Sequence, residues 1–93
     1  MNLNTTLIRA AEMGHTTTVY LMLKAGADVH VYDDWALQWA ARCRHTDVVR
    51  LLLEYGANVY AYDDCALRWA IHNGYTEVVQ LIQQQWGTNH EYY

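Results

Sequence analysis

Displaced by 30 residues, the chain matches itself. Asp33-Asp34 falls on Asp63-Asp64, Ala36-Leu37 on Ala66-Leu67, and Trp39-Ala40 on Trp69-Ala70. The match continues through Thr46 on Thr76, Val48-Val49 on Val78-Val79, Leu51 on Leu81 and Tyr62 on Tyr92, with Asp47 against Glu77. A more divergent copy lies upstream, where Leu7, Ala10, Thr16, Val19 and Leu21 take the places of Leu37, Ala40, Thr46, Val49 and Leu51. Self-similarity at this period marks stacked units, none of which can bury its apolar face alone. The chain is read as a single domain over residues 1–93, with repeats of about 3–32, 33–62 and 63–92.

Each copy contains two helical patterns. Leu37, Ala40 and Ala41 stand at i, i+3 and i+4, which makes a thin, alanine-rich helix that a neighbour can approach closely. The run Val48, Val49, Leu51, Leu52 and Leu53 makes a second helix that is apolar around most of its girth. Asn4, Asp34 and Asp64 are expected to cap the first helices. Gly14 and Gly74 suit a left-handed stop between the two helices, and Gly26 and Gly56 a stop after the second. Arg44 departs from this scheme: either it adopts the left-handed conformation at a cost in strain, or the helix ends differently there. Val29–Tyr32 and Val59–Tyr62 read as short extended turns or hairpins. The expectation is an all-α solenoid of three helix-turn-helix units.

Composition limits the function. Six Lys plus Arg against ten Asp plus Glu give a net charge of −4, so no basic stripe is available for a nucleic acid backbone. The N-terminal segment has no secretory signal and no stretch could span a bilayer, which points to an intracellular protein. Cys43 and Cys65 read as reduced thiols rather than a disulfide. The sequence has no serine, which removes serine-nucleophile chemistry. Cys43 near His45 imitates a thiol–base pair, but nothing beside them is set to orient the base or hold an oxyanion. His15 and His45 occupy equivalent places, and equivalent residues of stacked helices lie about 8–10 Å apart, too far to share one zinc with ligand bonds of about 2 Å. No catalytic residue, metal or cofactor is expected.

The string Leu51-Leu52-Leu53-Glu54-Tyr55-Gly56-Ala57-Asn58-Val59 resembles the end of an ankyrin repeat, and Ala66-Leu67-Arg68-Trp69-Ala70 stands where that family usually carries Thr-Pro-Leu-His-x-Ala. The resemblance covers nearly the whole chain. It departs from the family in its 30-residue period, where 33 is usual, and in lacking the motif's Pro and His, so the connecting hairpin must be shortened. The variant Asp-Asp-x-Ala-Leu-x-Trp-Ala is similar to repeats of giant DNA viruses of amoebae, which would place the protein in a host cytoplasm.

The resemblance implies recognition of another protein through inner helices and hairpin tips. At the tips it marks Tyr32, Asp33 and Asp34, and Tyr62, Asp63 and Asp64 one repeat later. Along the inner helices it marks Trp35, Trp39 and Arg42, with Arg68, His72 and Asn73 in the third copy. The competing reading is that the tyrosines pack on neighbouring hairpins, the aspartates cap helices, and Trp35, Trp39 and Trp69 form a packing ladder. Gln83-Gln84-Gln85 makes the last helix polar and Thr16-Thr17-Thr18 does the same near the start, as in a short, complete stack. A homo-oligomer that buries the exposed ends is the alternative function.

Overall fold

The structure is a computed structural model that describes residues 2–90, with side chains through residue 85. Among these residues there are six helices and no strand: α1 (Leu3–Met13), α2 (Thr16–Lys24), α3 (Val31–Arg42), α4 (Thr46–Glu54), α5 (Ala61–His72) and α6 (Thr76–His90). α1, α3 and α5 pack side by side in one layer, and α2, α4 and α6 in a second, each odd helix resting on the even helix that follows it.

Small residues set the close spacing of the first layer. Ala10, Ala11, Ala36, Ala40, Ala41, Ala66 and Ala70 are all buried, with Leu7, Leu37 and Leu67 recurring once per repeat between them. α4 contributes Val48, Val49, Leu52 and Leu53 to the core, while Arg50 and Glu54 stay exposed. Complete burial of a side chain such as Leu37 or Leu52 contributes about 1.5–3 kcal/mol.

The three connections inside the repeats are built alike. The amide of His15 donates to Ala10 O at 2.9 Å, that of His45 to Ala40 O at 2.8 Å, and that of Tyr75 to Ala70 O at 2.9 Å. These bonds satisfy carbonyls that the helix end would otherwise orphan. The left-handed residue in each is Gly14, Arg44 or Gly74, at φ 74, 62 and 71. Arg44 therefore takes the strained option, and its guanidinium lies 5.6 Å from the Tyr75 ring centroid.

The segments read as short extended turns or hairpins are turns, but not extended ones. Val29-His30 and Val59-Tyr60 form a turn, and the next residues, Tyr32-Asp33-Asp34 and Tyr62-Asp63-Asp64, make a left-handed turn with φ between 52 and 61 at all six positions. Right-handed helix begins only at Trp35 and Cys65. A left-handed L-residue costs roughly 1–2 kcal/mol, and Asn and Asp tolerate it best. Side chains five residues on bind the strained backbone in both copies: Gln38 Nε2 donates to Asp33 O at 2.9 Å and Arg68 Nε to Asp63 O at 3.0 Å. This three-residue reversal replaces a hairpin and accounts for the short period.

The expected caps are also corrected. Asn2, not Asn4, caps α1, its side chain accepting from the amides of Asn4 and Thr5. Asn4 accepts instead from the Asp28 amide at 2.8 Å, and Asp34 from the Asn58 amide at 2.7 Å, each across 24 residues into the following turn. At the other end α6 runs on through Trp86-Gly87 to His90, past the point where the earlier repeats stop. Gln83, Gln84 and Gln85 are exposed, in keeping with a polar last helix; of the segment 89–93, read from the sequence as a tail that wraps the end or dangles, Asn89 and His90 belong to α6 and residues 91–93 lie outside the described residues.

Candidate partner-binding site

Of the residues marked at the tips, Tyr32, Asp33, Tyr62 and Asp63 reach solvent, the tyrosines at 71% and 57% exposure. The left-handed backbone turns these side chains outward while it folds the second aspartate of the pair inward. Asp34 is only 3% exposed, and its carboxylate accepts from His30 Nδ1 at 3.0 and 3.1 Å as well as from the Asn58 amide. Asp34 is thus a stitch between successive turns rather than a contact residue, because its acceptor atoms are already occupied. Asp64 is half-buried.

The inner helices bring together a second set. Trp35 and Trp39 meet edge to face with centroids 6.0 Å apart. Trp39 and Trp69 are linked through Arg42, whose guanidinium lies 5.0 Å from one indole and 4.3 Å from the other. The ladder expected from three tryptophans is therefore a cation held between aromatic faces, and it joins α3 to α5. Such contacts contribute about 0.5–1 kcal/mol at an exposed site. Trp35, Gln38, Trp39, Arg42, Cys65 and Trp69 line a hollow of about 110 Å³, and Cys65, Arg68, Trp69 and His72 a wider one of about 390 Å³. The Trp39 indole N–H is buried and has no hydrogen-bond partner among the described residues. His72 meets the Trp69 ring edge to face at 6.4 Å. Asn73 donates through Nδ2 to Trp69 O at 2.8 Å, which closes the end of α5.

The sequence reading missed Gln38 and Cys65 as lining residues and the role of Arg42 in holding two tryptophans together. The alignment of Arg42 with His72 carried no signal for it, since the contact runs diagonally from one repeat to the next. Both cysteines are free thiols. His45 does not serve Cys43: its Nε2–H donates to Glu12 O at 2.9 Å and the ring lies against Gly14. No group of three or more metal-binding side chains occurs among the described residues, and no helix there is long and apolar enough to cross a membrane.

Two layers of paired helices, repeated three times with a continuous core and an uncovered aromatic face, define a helical repeat solenoid. A family model described as ankyrin repeats in three copies matches residues 7–92, and the chain belongs to the ankyrin-repeat family. Members of this family generally mediate protein–protein interaction without chemistry of their own. A comparison with curated proteins finds no match.

Proposed function

We propose that this chain, taken as one domain of three repeats, binds a protein partner through its inner helices and turn tips. The observation that carries the reading is the inner face itself, where three tryptophans are left half-buried with Arg42 exposed between two of them. Aromatic and arginine side chains in this state are the residue types that dominate interface energies. The outward tyrosines at the tips extend the same surface at low entropic cost.

The repeat variant Asp-Asp-x-Ala-Leu-x-Trp-Ala supports a viral source, with a host or viral protein as the partner and the host cytoplasm as the place of action. The test is recovery of co-purifying protein from source cells by wild-type chain and by Tyr32→Ala, Tyr62→Ala and Trp39→Ala. Loss of a specific partner in the variants is expected. Unchanged recovery in all three would remove these residues as anchors.

A second reading, self-assembly, is favoured by one observation. Leu21 stands at the position of the half-buried Leu51, yet it is 53% exposed, and Met13 at 64% and Leu3 at 38% are also uncovered in the first repeat. A second copy of the chain is the occupant that this reading assigns to that end.

A further inference from the structure

We infer that the inner face selects an acidic linear segment of its partner, with Arg42 as the carboxylate anchor; the inference rests on the interaction reading above and names the chemistry of what is bound. Each inner helix carries one arginine: Arg9 on α1, Arg42 on α3 and Arg68 on α5. Arg9 occupies the position of Trp39 and Trp69 in its own repeat, so the 30-residue period places it on the same face. The one acidic residue at the corresponding positions is Glu12, equivalent to Arg42 and His72. Three positive charges against one negative leave +2 at these inner-helix positions, while the exposed Asp33 and Asp63 stand apart at the tips, before the right-handed starts of α3 and α5. The cations are concentrated where the aromatic rings are uncovered, and complementary charge steers and orients a partner.

The geometry of Arg42 adds specificity to charge. The Arg42 guanidinium is held 5.0 Å from the Trp39 ring centroid and 4.3 Å from that of Trp69, and a cation–π contact uses no N–H donor, so its planar fork keeps donors for a two-pronged bond to a carboxylate. All three arginines are exposed, and of them only Arg68 has a hydrogen bond among those found, through Nε. Packed helices lie about 8–10 Å apart, and a segment in the polyproline II conformation advances about 3.1 Å per residue and presents every third side chain on the same side. A segment crossing the layer therefore reaches the next helix in about three residues, and acidic side chains at that spacing meet an arginine on each. Apolar side chains between them fall on the hollows lined by Trp35, Trp39 and Trp69.

The direct test is fluorescence anisotropy of the full chain with a labelled 12-residue peptide carrying Glu at every third position in a Gly/Ser background, against its Gln counterpart. The Glu peptide is expected to bind about tenfold tighter than the Gln peptide at 50 mM NaCl and to lose most of that advantage at higher salt. Arg42→Gln should bring the two peptides within about twofold of each other, Arg42→Lys should fall between, and Arg44→Gln, outside the face, should leave the difference intact. Equal binding of the two peptides, absence of binding, or the same loss from Arg44→Gln as from Arg42→Gln would overturn the inference. Selection from a random 12-residue display library separates this from the broader reading. Enrichment of acidic sequences supports the inference. Neutral or basic sequences whose capture needs Trp39 and Trp69 overturn it and leave the interaction reading standing.

Discussion

Gly14 and Gly74 fill the same left-handed position in the first and third repeats, but their surroundings differ. A Cβ on Gly14 would lie 2.6 Å from Nδ1 of the His45 ring, whereas one on Gly74 would meet nothing within 4 Å. Gly74→Ala therefore carries only the left-handed strain, about 1–2 kcal/mol. Gly14→Ala must also displace the His45 ring from its bond to Glu12 O, adding about 1–3 kcal/mol. Urea unfolding of the two variants should give a clearly lower midpoint for Gly14→Ala, and equal losses would show that the His45 contact is not what fixes glycine there. The left-handed stops at Gly14 and Gly74 were legible in the sequence, whereas Arg44 left two options open, of which the structure takes the left-handed one. The ring behind Gly14 was not legible, because it comes from the neighbouring repeat, 31 residues further on.

At the scale of an element, the turns are held to one another as much as to their own helices. Asn4 holds the first turn and Asp34 the second, each by accepting the amide 24 residues ahead. Asp34→Ala should lower stability by about 1–3 kcal/mol, because it leaves the Asn58 amide without its acceptor and takes away a residue tolerant of φ 61. Asp34→Asn keeps an oxygen in place and should lose less. Its neighbour Asp33 is exposed at φ 54, where glycine is at ease, so Asp33→Gly should leave the stability read from urea unfolding unchanged or raise it by up to about 1 kcal/mol. A loss from Asp33→Gly as large as that from Asp34→Ala would contradict the division of labour within the pair. Helix pairs, their order and their buried leucines and alanines could all be read from periodicity. The function of each aspartate could not: an acidic residue before a helix has the same pattern whether its oxygen meets its own helix or the next turn. Of the reading of Val29–Tyr32 as an extended turn or hairpin, the turn holds and the extension does not, since β-branched and aromatic residues favour extended structure mainly where a partner strand packs beside them.

The whole molecule is a layer of inner helices on a layer of outer ones, and its first repeat leaves apolar side chains uncovered. If a second copy covers them, sedimentation velocity should show a mass that rises with protein concentration, and Leu21→Asp should return the chain to monomer at every concentration. A monomeric wild-type chain throughout would dispose of self-assembly and leave partner binding unaffected. Arg42 carries a further consequence at this scale. It is rooted in α3 but leans on the indole of α5, so the surface it helps to form belongs to the junction of two repeats and to neither alone. Three repeats have two such junctions, and only the second is written with this arginine, since Glu12 holds the place at the first. Duplicating or exchanging whole repeats would then rewrite recognition without altering a single helix: a copy of the third repeat added after itself would set His72, not Arg42, against the next tryptophan.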